Sequence, residues 1–139
     1  MQIGQITTAL ETWAPLSFQE EYDNCGLLVG HPDTNCTGVL CSLDLTEAVL
    51  DEAIEKGCNL IVSHHPIIFK GIKQFDETHY VARTVRKAIQ QNIAIYALHT
   101  NLDNLIDGVN KTLADRLHLE NRRILTPKPG FKDQNGNEI

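Results

Sequence analysis

Hydrophobic residues recur at spacings of three and four in Ile3, Ile6, Leu10 and Trp13, which predicts an amphipathic helix that Pro15 must stop. Ser17 and Glu20 have capping-box spacing and are expected to start a short helical turn. Asp23-Asn24-Cys25-Gly26 then reads as a turn into the apolar segment Leu27-Leu28-Val29, which Gly30-His31-Pro32-Asp33 ends. The pattern changes at Val39-Leu40-Cys41-Ser42-Leu43, a continuous apolar run of strand type that leads to Asp44. Thr46 is placed to cap a helix from Glu47 to Lys56, closed by Gly57. Leu60-Ile61-Val62 is the next strand, with His64-His65-Pro66 at its C-terminal end. A helix from Tyr80 to Gln91 follows, carrying Val81, Val85 and Ile89 on one side. Ile93 to Leu98 is a third strand, ending at His99-Thr100-Asn101-Leu102-Asp103, and a last helix from Gly108 to Leu117 is expected to turn Val109, Leu113 and Leu117 inward.

Apolar strands without alternation, separated by helices, predict parallel strands covered on both faces. The fold class expected is therefore α/β, a mostly parallel sheet flanked by helices. The pattern fades after residue 121, where Pro127, Pro129, Gly130 and Gly136 exclude a helix and Lys132 to Asn137 read as a polar turn or linker. We expect one α/β lobe over residues 1–120 and a connector over 121–139.

A hydrophobic content of 42% and a charged content of 22% are those of an ordinary soluble protein and exclude disorder throughout. Twelve Lys and Arg against eighteen Asp and Glu give a net charge of -6, so a phosphate-backbone partner is a poor expectation. No apolar run approaches the roughly 18 residues of a membrane span, and the first residues have neither the basic nor the apolar part of a leader. No membrane partner and a cytoplasmic location are expected. Cys25, Cys36, Cys41 and Cys58 form no CxxC and are read as reduced thiols, with Cys41 and Cys58 packing as small hydrophobes.

In a parallel sheet the C-terminal strand ends line the crevice where ligands bind. Asp44, then His64 and His65, then His99 and Asp103 follow three successive strands. Imidazoles and carboxylates gathered at one edge suit Zn, Mn, Fe, Co or Ni. Adjacent histidines in extended backbone diverge, so His64 and His65 would more easily serve two neighbouring ions than chelate one, with Asp103 able to bridge. Hydrogen bonding at the strand end is the alternative role for the histidines, an Asx-type loop contact for Asp103, and a hydrogen bond behind the ligands for His99. His31, His79 and His118 read as loop and helix-end residues. Glu11, Glu20, Glu21 and Asp23 show no consistent ligand spacing.

Tyr22-Asp23-Asn24-Cys25-Gly26-Leu27, Ser42-Leu43-Asp44-Leu45-Thr46, Ser63-His64-His65-Pro66 with Phe69-Lys70-Gly71, and His99-Thr100-Asn101-Leu102-Asp103 with Gly108-Val109-Asn110 closely resemble the GTP cyclohydrolase I type 2 homologues. These are NGG-interacting-factor-like proteins, and the resemblance covers about residues 1–120. It implies a two-lobed fold with a dinuclear metal centre between related halves, and a hexameric ring of subunits. It also implies that His64 and His65 ligate separate ions, that Asp103 bridges them, and that His99 and Asp44 lie beside the centre, where either could shuttle a proton. Two divalent ions (Zn, Mn, Fe, Co or Ni) and a small nucleotide such as GTP are the implied cofactors and substrate, with metal-bound hydroxide as nucleophile. The family's remaining His and Glu ligands belong to a second half with no counterpart in these 139 residues, so the chain alone is expected to be inactive. A non-catalytic metal-binding scaffold or regulatory interaction protein is the competing reading.

Overall fold

The computed structural model describes residues 1–132 and 136; the expected polar turn from Lys132 to Asn137 lies mostly outside them. Helix α1 (Ile3–Trp13) is followed by a 3-10 turn (Leu16–Phe18), strands β1 (Gly26–Val29) and β2 (Val39–Ser42), helix α2 (Glu47–Glu55), β3 (Leu60–Ser63), α3 (Tyr80–Gln90), β4 (Ala94–Ala97), the one-turn helix α4 (Thr100–Asp103) and α5 (Val109–Arg116). The 3-10 turn starts at Leu16 rather than Ser17, with Pro15 as its N-cap, where a residue without an N–H forgoes no bond of the turn. The expected cap of α2 is present: the Thr46 hydroxyl accepts the Val49 N–H at 3.3 Å, and Gly57 leaves the helix at φ +68°.

The sheet runs in the order β1-β4-β3-β2. β2 pairs with β3 and β3 with β4 in parallel, whereas β1 pairs with β4 antiparallel, with Gly26 opposite Ala97 and a bulge between Leu27 and Val29. The sheet is thus mixed. Leu27-Leu28-Val29 is too short for its direction to be read from composition; its antiparallel direction comes from pairing with β4, about 70 residues further along the chain. Gly30 ends it at φ +111°, where an added Cβ would lie 2.6 Å from the Ala94 Cβ, so the close approach to β4 requires glycine.

Alternate residues of β3 and β4 feed two cores. Leu60, Ala94, Tyr96 and Leu98 pack with Ile3, Phe18 and Leu105 on one face, with Ile6, Leu10 and Val62 against them. Ile61, Ile93 and Ile95 pack with Leu50 and Ala53 of α2 and Val85 and Ala88 of α3 on the other. β3 and β4 are covered on both sides, as their continuous apolar sequence requires.

β2 is not. It is an edge strand, and Val39, Cys41 and Leu43 on one of its faces are exposed. Cys41 therefore does not pack as a core hydrophobe, although Cys58 does. The expected inner face of α5 is open as well: Val109, Leu113 and Leu117 are 41%, 55% and 59% exposed, and α5 contributes no buried residue. Trp13 and Ile89, at the ends of the apolar stripes of α1 and α3, are also exposed. The amphipathic pattern of α5 was legible, but no element among the described residues covers it. An apolar groove of about 440 Å³, lined by Cys41, Leu43, Val62, Leu98, Leu102 and Val109 with Ser42, Ser63 and His64, runs along this open side. No helix among the described residues is long and apolar enough to cross a membrane.

Candidate metal centre

The parallel register puts three strand ends on one edge, and the ladder continues past the last strand residues. The His64 N–H donates to the Ser42 carbonyl at 3.1 Å, the His65 N–H to the Leu43 carbonyl at 2.9 Å, and the Leu98 N–H to the Ser63 carbonyl at 3.0 Å. These bonds fix the backbone from which the imidazoles hang. The buried Ser63 hydroxyl donates to the His65 carbonyl at 3.0 Å and tightens the turn that carries both histidines.

Leaving the strand at Ser63 brings the rings of His64 and His65 to the same side, with centroids 5.0 Å apart, rather than to opposite faces. His99 completes the group, with ring centroids 5.1 Å from His64 and 5.5 Å from His65. One ring nitrogen from each of the three lies within 4.8 Å of the others. Asp103 flanks the group, its carboxylate 3.8 Å from Nε2 of His64, and Asp44 stands behind His65. His31 is exposed beside Asp33, His79 is the N-cap of α3, and His118 follows the end of α5 with φ +54°, all apart from the cluster.

Each of the three imidazoles has an oxygen at Nδ1. His64 meets the Leu98 carbonyl at 3.0 Å, His65 the Asp44 carboxylate at 2.7 Å and His99 the Asp23 carboxylate at 2.9 Å. A carbonyl or an ionised carboxylate accepts and cannot donate, so Nδ1 carries the hydrogen in the neutral rings and Nε2 keeps its lone pair. Imidazoles with bare Nε2 atoms and oxygen-bound Nδ1–H groups are the kind of donor a transition-metal site uses. The residues present therefore fit a divalent ion of borderline softness.

Asp23 was not singled out by its spacing, yet its side chain is 0% exposed and it is the most heavily bonded carboxylate at the site. Its partners are His99, the Thr100 N–H at 3.0 Å, the Thr100 hydroxyl, the Asn24 N–H at 2.8 Å and the Cys25 thiol at 3.2 Å. Burial pushes its pKa up, but the hydrogen bonds from His99, Thr100, Asn24 and Cys25 outweigh it and hold the carboxyl well below the usual carboxylate range. Burial also raises the pKa of the Cys25 thiol.

The His99–Asp103 segment, expected as a simple strand end, winds into α4. Asn101 is fully buried: its side-chain oxygen accepts the His99 N–H at 3.0 Å, and its amide donates to the Ala14 carbonyl at 2.8 Å. A Cβ on Gly108 would sit 2.1 Å from the Leu102 carbonyl, so α4 and α5 join through a contact that admits glycine alone. Phe69 lies edge-on to His99 at 6.5 Å and near Tyr22 at 6.3 Å, and the Asn24 amide donates to the Ile68 carbonyl at 2.6 Å, tying the loop after His65-Pro66 to the segment before β1. Residues beyond α5 turn back on the 3-10 turn, with Lys128 paired to Glu20 at 2.8 Å and Phe131 edge-on to Phe18 at 6.1 Å.

A family model described as Duf34/NIF3 (NGG1p interacting factor 3) matches residues 1–137. A Staphylococcus epidermidis protein named GTP cyclohydrolase 1 type 2 homolog is 46% identical over 131 residues, covering 94% of this chain and 36% of its own. The crystal structure of a Staphylococcus aureus protein superposes with a TM-score of 0.86 at 45% identity, covering 92% of this chain and 42% of that one. A Bacillus cereus protein related to NIF3 superposes with a TM-score of 0.87 at 38% identity, covering 92% of this chain and 35% of its own. The chain thus spans between a third and a half of the length of these relatives. Family match, identity and superposition agree with the motifs at the strand ends, and the chain belongs to the Duf34/NIF3 family.

Proposed function

We propose that this chain supplies the N-terminal half of a divalent-metal centre in a hydrolase-like protein acting on GTP or another small nucleotide. The observation that carries the reading is the convergence of His64, His65 and His99 with every Nδ1 bound to oxygen. His64 and His65 are assigned as ligands, Asp103 as the bridging carboxylate, and His99 with Asp44 as the groups that accept or return a proton. The three ring nitrogens, all within 4.8 Å of one another, are close enough to serve a common metal centre, and the second ion of the pair is what the family resemblance implies. Two divalent ions would supply Lewis acidity and an activated water. The name shared by the staphylococcal relative supports a nucleotide as substrate.

The finer architecture belongs to the same proposal. The open groove reaches His64 and carries Ser42, whose buried hydroxyl has no hydrogen-bond partner among the described residues. A second lobe of the full protein lying over β2 and α5 would bury this side and bring further ligands to the centre. Residues 1–120 are then the metal-binding lobe and 121–139 the connector, within a cytoplasmic ring-shaped oligomer. A regulatory interaction protein with the same metal centre is the second reading, favoured by the family description as an interacting factor.

The deciding experiment assays the full, metal-loaded protein against nucleotides and small phosphoesters, with H65A and D103A alongside. Turnover abolished by both substitutions is expected. A rate that neither substitution changes would refute the two-metal hydrolase reading, and no turnover over a broad substrate set would shift weight to the interaction protein. Anomalous diffraction at the metal edge tests the centre itself, and no peak near His64 and His65 in a holo preparation would remove it.

A further inference from the structure

We propose that Asp23 is a positioning residue for His99, holding its ring in the Nδ1–H tautomer so that the Nε2 lone pair faces His64 and His65. The inference rests on the metal-centre reading above and adds a residue to it that lies 76 positions away in the chain.

The argument begins with topology. β1 runs antiparallel to β4, so its first residue, Gly26, stands opposite Ala97 at the C-terminal end of the parallel strands. The segment just before β1 is thereby delivered to the edge where the imidazoles gather. A parallel β1 would have carried Asp23 to the opposite edge of the sheet.

The local geometry is more specific than a helix cap requires. Two bonds from Thr100, through its N–H and its hydroxyl, would suffice to anchor the first turn of α4. Both go to Oδ2, which also takes the Cys25 thiol at 3.2 Å. Oδ1 is left to the Asn24 N–H and to Nδ1 of His99 at 2.9 Å. With five donors on a carboxylate that is closed to solvent, neither oxygen can turn away, and the imidazole opposite Oδ1 has one ring nitrogen fixed as donor.

The three histidines differ in how firmly they are held. The Asp44 carboxylate behind His65 is more than half exposed, and the oxygen behind His64 is a neutral carbonyl. His99 alone of the three is backed by a wholly buried negative charge, and its backbone N–H is also fixed by Asn101. A ring so held presents the Nε2 lone pair to the cluster in one orientation, placed to accept a proton beside the ligands.

The test uses the full protein labelled with ring-15N histidine and prepared without metal, with His99 assigned by comparison with H99Q. The wild type should show the Nδ1–H tautomer at His99. The near-isosteric D23N, whose one oxygen is claimed by the three donors at Oδ2, turns its amide towards Nδ1 and should convert His99 to the Nε2–H tautomer or a mixture. T100V, which removes the hydroxyl bond but leaves Asp23 and His99 in place, should keep the wild-type tautomer. An Nε2–H tautomer in the wild type overturns the proposal, as does a D23N protein that keeps the wild-type tautomer. If D23N does not fold, the wild-type and T100V spectra decide. A locked Nδ1–H tautomer in a protein that binds no Co2+ would leave the positioning role standing and remove the metal-centre reading; Co2+ binding with an unlocked ring would do the reverse.

Discussion

Asp44 and His65, 21 residues apart in sequence, share a 2.7 Å hydrogen bond at the ends of neighbouring parallel strands. Each lies two residues beyond the end of its strand, so the pair is assembled by the β2–β3 register with no help from a long loop. Carboxylates behind ligating histidines orient the ring and tune its donor strength, and their loss typically weakens metal binding 10–100-fold. Asp44→Ala should lower Zn2+ or Co2+ affinity within that range while leaving stability within about 0.5 kcal/mol, because the residue is exposed. Chelator competition and urea unfolding on the same protein separate the two effects. Unchanged affinity would show that Asp44 does not support His65 as a ligand.

Acid should reveal Asp23. Its native pKa is held well below the unfolded value of about 3.9, so below about pH 5 the unfolded chain takes up a proton that the native state refuses. The stabilisation is complete above that range and is lost as the pH falls towards the native pKa. In metal-free protein, wild-type stability should therefore drop more steeply than that of D23N between pH 5 and 3, by up to about 1.4 kcal/mol per pH unit. Urea titrations at a series of pH values give the two slopes; parallel curves would contradict the assignment.

Leu50 links α2 to the core formed with Ile61 and Ile95 and is fully buried. Leu50→Ala should cost about 2–5 kcal/mol through lost transfer energy and a residual cavity. Chemical denaturation measures it, and a loss below about 1 kcal/mol would mean that α2 can collapse onto the sheet.

The four thiols should differ in reactivity. Cys41 is exposed on the open face of β2, whereas burial raises the pKa of Cys25 and lowers its thiolate fraction. In the 139-residue chain Cys41 should label with a maleimide first and Cys25 last. In the full protein Cys41 should become protected if a second lobe covers this side. Mass spectrometry of timed samples resolves the order, and equal rates at Cys41 and Cys25 would count against the packing described.

Much of the β2-to-β4 region was legible because its signals are local. Thr46, Gly57 and the apolar runs of β2, β3 and β4 define elements whose ends the structure moves by a residue or two. The grouping of His64, His65 and His99 followed from placing those ends on one edge. The direction of β1 was not legible, since antiparallel pairing with β4 depends on contacts about 70 residues away rather than on Leu27-Leu28-Val29. Asp23 was missed for the same reason: its partners His99 and Thr100 are remote in sequence, and beside Glu20 and Glu21 it reads as one more acidic residue of a loop. Helical periodicity located α5 but assigned its apolar stripe to an interior that the described residues do not provide.

The antiparallel placement of β1 also bears on the order in which the molecule is built. Bonds that seat the rings of His65 and His64 close loops of 21 and 34 residues, whereas the bond from His99 to Asp23 closes one of 76. Short closures form faster than long ones, so the strand–helix–strand units of β2, β3 and β4 mature ahead of the pairing of β1 with β4. Refolding should accordingly yield a sheet with its imidazoles gathered before Asp23 arrives to set the third of them, making the longest of these three closures the last to form.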